Sequence, residues 1–208
     1  MKVIAFNGSP HEKGSTYAAL CLVTAELEKQ GIETEIIHVG TKTHHGCTGC
    51  GACAQTGRCI FKDDLVNECI EKLEQADGLL LGSPVHYAGI AGSMKAFLDR
   101  VFYCYAGKNM QFKVGAVVTA LRRAGGVDTF HQLNNYLNLA NMLIVPNHYW
   151  NVAYGTNGDE VHQDAEGVQI MQMLGRKMAW LLQMLDQGRQ TLPPPEAPQR
   201  IHTNFIRA

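Results

Sequence analysis

Charge of either sign is not in excess in this 208-residue sequence: 18 Lys and Arg stand against 19 Asp and Glu, dispersed along the chain, for a net of −1. A nucleic-acid binder needs a basic face, so that class has no electrostatic support. Long apolar runs are also missing. The best stretch, Gly78–Leu81, falls far short of the roughly 20 residues that cross a bilayer. No basic n-region, apolar h-region or cleavage site precedes the first strand signal, so we expect a cytoplasmic protein. The first loop carries neither G-x-x-x-x-G-K-S/T nor G-x-G-x-x-G, which speaks against ATP or GTP hydrolysis and against a Rossmann dinucleotide site. No internal repeat and no second domain is visible.

What is present begins at the N-terminus. Lys2–Phe6 reads as a short buried strand, broken at once by Asn7-Gly8-Ser9-Pro10. The loop continues through His11 and Gly14, and Ser15-Thr16 opens a helix with Leu20, Val23 and Leu27 on one face. A strand, a tight hydroxyl-bearing loop and a helix N-terminus make an anion cradle. The first-turn N–H groups have no intrahelical partner, and the dipole is positive there. Ser9, Ser15 and Thr16 add hydroxyl donors aimed at the same point. The plain alternative is that Ser15 or Thr16 only caps the helix. No arginine stands in the loop, so a phosphate there would be held by neutral donors, as suits a bound mononucleotide.

Along the rest of the chain, strand signals recur at Thr34–Val39, Gly78–Leu81, Val114–Thr119 and Met142–Val145, separated by helical patterns. Pro146–Asp159 reads as loop. The last helix, roughly Asp164–Asp186, repeats Val168, Met171, Gly175, Met178, Leu182 and Leu185, a stripe that is either core face or a seam for a partner helix. The hydrophobic content of 46% is ample for one core. Alternating strands and helices predict an α/β fold: a doubly wound five-stranded parallel sheet, order 2-1-3-4-5, with helices on both faces. We expect one domain over residues 1–187 and an extended Pro-rich tail over 188–208.

That strand order brings three loops to the carboxyl edge of the sheet. The second, Gly82–Gly89, offers backbone exposed by glycine and proline together with His86 and Tyr87, a ledge for a planar ring. The third, Ala120–Gly126, carries Arg122 and Arg123, which would favour a reduced anionic ring or meet the phosphate of a nicotinamide cofactor.

Taken together, Gly8-Ser9-Pro10 with Gly14-Ser15-Thr16, Cys47-x-x-Cys50-x-x-Cys53 with Cys59, Gly82-Ser83-Pro84-Val85, and Lys95-Ala96-Phe97-Leu98-Asp99-Arg100 resemble the NAD(P)H-dependent FMN reductase and iron–sulfur flavoprotein family of the flavodoxin-like fold. The resemblance runs from residue 1 to about residue 155. It implies FMN, with its phosphate at Ser9, His11, Gly14, Ser15 and Thr16. It implies an isoalloxazine ring near Pro84, Val85, His86, Tyr87 and Gly89, with Thr119, Ala120, Arg122, Arg123 and Gly125 alongside. It also implies NAD(P)H as co-substrate and a homodimer or homotetramer with the flavin near a subunit interface. His11 stands where the family often has arginine, His86 where it often has tyrosine, and Ala120-Leu121 replaces small glycines. These departures bear on the phosphate grip and the shape of the ring pocket.

Four of the seven cysteines, Cys47, Cys50, Cys53 and Cys59, fall in residues 40–62, a stretch with no helix or strand signal. Glycines at 46, 49, 51 and 57 let its backbone bend. Four thiolates at this spacing can surround one [4Fe–4S] cluster. Structural zinc more often uses two separated pairs, and unligated cysteines are the third reading. Cys21, Cys69 and Cys104 lie on helical faces and are expected to be small core residues. We therefore expect an FMN-dependent oxidoreductase that takes electrons from NAD(P)H and passes them to a small-molecule or protein acceptor, with no side chain acting as an essential acid or base. An electron relay between a [4Fe–4S] cluster and FMN is the first alternative. A flavodoxin-type carrier without a substrate of its own is the second.

Overall fold

The first strand, β1 (Lys2–Asn7), is almost wholly buried because it lies mid-sheet with a helix layer on each face. In the computed structural model, which describes residues 1–41, 45–196 and 201, it pairs in parallel with β2 (Glu33–His38) on one side and β3 (Gly78–His86) on the other. β5 (Val114–Leu121) follows β3, and β6 (Leu143–Ile144) ends the order β2-β1-β3-β5-β6. Counting parallel strands along the chain, this is the expected flavodoxin-like arrangement. β4 (Gly89–Ile90) is an antiparallel return on the tip of β3.

The two-residue side-chain period of the strands sorts the core into two halves. Ile4, Phe6, Leu79, Leu81 and Val117 face α3 (Val66–Glu74), α4 (Gly92–Asn109) and α5 (Gly126–Leu139). Val3, Ala5, Leu80, Ala116 and Val118 face α1 (Ser15–Glu28), α6 (Gly158–Gln163) and α7 (Ala165–Gly188). Each fully buried Leu, Ile or Phe contributes on the order of 1.5–3 kcal/mol of transfer free energy. The α1–α7 crossing is so close that a Cβ on Gly175 would sit 2.5 Å from the Val23 carbonyl oxygen. Buried Glu26 joins the same pair of helices, accepting from Arg176 at 2.8 Å and from Lys29 at 2.6 Å.

Several boundaries differ from expectation. β3 runs on to His86 because Gly82, Ser83 and Pro84 still pair with Val118, Thr119 and Ala120 of β5. The fifth strand position is split: β6 pairs with the start of β5, the chain leaves the sheet, and β7 (Val152–Tyr154) rejoins at Thr119–Leu121. β7 was expected as loop; its three residues are too few to show a period. Residues 40–62, expected to lack regular structure, hold one helical turn, α2 (Cys53–Thr56). The apolar stripe of the last helix is core, since Met171, Gly175, Met178 and Leu182 are buried and Trp180 and Met184 face outward. Leu192–Pro195 is exposed, and most of the expected tail, residues 197–200 and 202–208, lies outside the described residues.

Candidate functional site

The first loop is built around Asn7, buried at the end of β1. Its Nδ2 donates to the Glu12 carbonyl at 2.8 Å, and its Oδ1 accepts from the Ser9 N–H at 3.1 Å. The His11 N–H donates to Ser9 Oγ at 3.1 Å, and His38 Nε2 meets the Ser9 carbonyl at 2.7 Å. Gly40 passes directly beneath, where a Cβ would come within 1.9 Å of the Ser9 carbonyl oxygen. The loop is thus held from its own strand and from the end of β2.

At the start of α1 the three candidate hydroxyls separate. Gly14 is the N-cap, in extended conformation, and no side chain caps the helix. The capping alternative for Ser15 and Thr16 is therefore excluded. Ser15 Oγ instead donates to the Gly155 carbonyl at 3.0 Å, away from the common point expected of it. Thr16 is 1% exposed, and its Oγ1 has no hydrogen-bond partner among the described residues. Leaving a buried hydroxyl unpaired costs about 1–3 kcal/mol. With the unpaired first-turn N–H groups, it makes a donor set that fits a phosphate. His11 is exposed at the rim and Gly14 is half-buried.

The second loop is a two-residue hairpin turn on β3–β4. Tyr87 (φ +50°) and Ala88 (φ +57°) are both left-handed, a conformation that such turns usually give to Asn or Gly. Buried Ser83 pins the base, with its Oγ donating to the Pro84 carbonyl at 2.8 Å and accepting from the Ala91 N–H at 3.1 Å. Gln132 of α5 braces the tip through the Ile90 N–H and the Ala88 carbonyl. Pro84 and Val85 are half-buried, His86 is exposed, and the Tyr87 side chain stands wholly in solvent. The third loop touches this hairpin. A Cβ on Gly125 (φ +88°) would lie 3.0 Å from Ala88 Cα and 3.1 Å from Val85 Cγ1. Thr119 is fully buried, donating its N–H to the Asn151 carbonyl at 2.9 Å. Ala120 is buried, and Arg122 and Arg123 are exposed with no ion pair among the described residues. Sequence reasoning missed the cleft of about 390 Å³ between Gly125-Gly126 of this loop and the aromatic side chains of Tyr149, Trp150 and Tyr154; Tyr149 and Trp150 fall where the chain leaves the sheet between β6 and β7.

The cysteine stretch packs on the face of α4. Cys47, Cys50, Cys53 and Cys59 line one small pocket, and a fifth thiol, Cys104, joins them from α4. Cys104 was expected to be core. Instead burial, then its neighbours Cys53 and Cys59, push its thiol pKa up to about 12. Cys69 alone is fully buried in the core, where desolvation pushes its pKa up to about 12 as well. Gly49, Gly51 and Gly57 are left-handed, three of the four glycines expected to bend the loop. Asn67 fixes the Cys59 backbone through its N–H at 2.8 Å and its carbonyl at 3.0 Å. Cys47 and Cys50 are exposed. Among the described residues no three His, Cys, Asp or Glu side chains are arranged to hold a single metal ion. The donor set, all thiol and grouped in one pocket, fits an iron–sulfur cluster in number and kind.

The model of a family described as NADPH-dependent FMN reductase matches residues 1–157. An iron-sulfur flavoprotein of Methanocaldococcus jannaschii is 32% identical over 192 residues, covering 89% of this chain and 99% of that protein. An iron-sulfur flavoprotein of Archaeoglobus fulgidus is 32% identical over 181 residues, covering 86% of this chain and 79% of its own. Among solved structures, RosB with a bound 8-demethyl-8-formylriboflavin-5'-phosphate intermediate superposes with a TM-score of 0.68 at 16% identity, over 100% of this chain and 94% of that one. A flavodoxin from the Archaea superposes at 0.60 and 14% identity, over 88% and 99%. At such identities the structures speak for the fold alone, and that fold is flavodoxin-like.

Proposed function

Because the chain belongs to the NADPH-dependent FMN reductase family and is an FMN-binding oxidoreductase, we propose that it relays electrons between FMN and a [4Fe–4S] cluster held by Cys47, Cys50, Cys53 and Cys59. The observation that carries this reading is the single pocket that all four line. Its chemistry rests on FMN, which when bound takes a hydride from NAD(P)H and can release electrons one at a time. The chain's own part is to bind and orient. Thr16 Oγ1, Ser9 Oγ–H and the first-turn N–H groups of α1 receive the phosphate, with Gly14 giving close approach and His11 at the rim. Ser15 supplies its N–H while its hydroxyl ties the helix start to Gly155. Pro84–Gly89 and Arg122–Gly125 form the ledge for the ring, with buried Thr119 and Ala120 supporting it from within the sheet. Arg122 and Arg123 await the phosphate of the nicotinamide nucleotide. No side chain is needed as acid or base. The acceptor is a small molecule or a protein, and no helix among the described residues is long and apolar enough to cross a membrane. A homo-oligomer is part of the reading: the Tyr87 ring and the Trp180–Met184 face of α7 are apolar surface left open.

The second reading, a simple FMN reductase with an unloaded cysteine loop, is favoured by the exposure of Cys47 and Cys50. Anaerobic reconstitution with iron and sulfide decides between the two. The relay requires about four irons per chain and a loss of iron on Cys50→Ser. Protein that retains FMN and takes up no iron leaves only the simple reductase.

A further inference from the structure

Arg100 hydrogen-bonds to both ends of the cysteine loop. Its side chain is 1% exposed, deep on the inner face of α4. Buried Asp64 pairs with the guanidinium. The guanidinium also donates to the His45 and Phe61 carbonyls, each at 3.4 Å, and lies 5.1 Å from the Phe61 ring centroid. His45 precedes the first cysteine and Phe61 follows the last. The remaining donor, Nε–H, points at the Cys59 sulfur at 3.2 Å. The fold thus commits this buried donor to a sulfur rather than to a carbonyl, so the side chain that ties the two ends of the loop together also orients Cys59.

We infer that Arg100 is a positioning residue for the cluster: its Nε–H holds the Cys59 sulfur as the fourth ligand and raises the cluster's reduction potential. This rests on the relay reading above. Hydrogen bonds to ligand sulfur stabilise the reduced, more negative cluster, which moves the potential upward. They also fix the ligand's direction, and loss of such outer partners typically weakens metal retention about 10–100-fold. Arginine suits the task because its planar fork reaches Asp64 and Cys59 at once. Lysine keeps the charge opposite Asp64 and loses that geometry.

The test uses full-length protein reconstituted anaerobically with iron and sulfide. FMN content and far-UV circular dichroism check the fold. Arg100→Lys is expected to keep FMN, to shift the cluster midpoint to a more negative potential, and to lose iron to a chelator about 10–100 times faster. A midpoint and a chelation half-life equal to those of the unsubstituted protein would overturn the inference while leaving the relay standing. Unsubstituted protein without iron would overturn both. A measurement that needs no substitution runs beside it: protein labelled with ¹⁵N only in arginine should show a nitrogen hyperfine coupling to the reduced cluster, and its absence would also overturn the inference.

Discussion

Thr16→Val is expected to push stability and binding in opposite directions. Valine matches threonine in shape and branching, so packing around the 1% exposed side chain changes little, and the helix propensities of the two are close. What changes is the hydroxyl, which has no partner among the described residues. Removing an unpaired buried hydroxyl recovers its desolvation cost, about 1–3 kcal/mol. The apoprotein should therefore become more stable, and urea unfolding should show a higher midpoint at an unchanged m-value. With FMN the sign reverses. A hydroxyl donating to a phosphate makes a charge-assisted hydrogen bond worth about 1.5–3 kcal/mol, or roughly 10- to 150-fold in Kd. Titration of FMN into apoprotein, followed by quenching of flavin fluorescence, measures that loss. An apoprotein less stable than the parent would refute the premise that the hydroxyl is unpaired. An unchanged Kd would remove Thr16 from the phosphate site.

Gly40→Ala should weaken FMN binding by roughly 5- to 150-fold, because a Cβ 1.9 Å from the Ser9 carbonyl oxygen meets backbone that no rotamer can move, and overpacking of this kind costs about 1–3 kcal/mol; equal Kd values for variant and parent would show that the loop absorbs the methyl. Glu26 provides a pH test: Arg176, then Lys29, holds its carboxyl below the usual carboxylate range. A depressed folded-state pKa gives stability that is full above the ordinary value near 4.5 and is lost as pH falls through the folded one. Glu26→Gln should therefore be less stable than the parent at pH 6, with the gap narrowing below about pH 4.5; a gap independent of pH would assign the loss to packing.

Some of the molecule is local and was legible along the chain. Val3, Ala5, Ile4 and Phe6 alternate between two helix layers, so β1 announces itself by composition as a strand buried on both faces. The turn residues after β1 mark where the chain leaves the sheet, whereas Gly82–Pro84 and Ala120-Leu121 still pair within β3 and β5; right-handed crossovers then set the strand order. The spacing of Cys47, Cys50, Cys53 and Cys59 was equally plain, and so were the glycines that bend between them. Tertiary structure decided what depends on distant partners. Ser15 and Thr16 are neighbours of like chemistry, and only Gly155, 140 residues on, tells which hydroxyl is engaged. β7 is invisible in three residues because its partner, β5, supplies the ladder. Arg100 was legible only as the end of a helical motif, and its burial against Asp64 is set by the fold; Cys104 reads as core until the loop folds over it. Side-chain periodicity and turn chemistry act within a few residues and so are written in the sequence; the pairing of a buried charge or the freeing of a hydroxyl is set by atoms that only the finished fold brings near.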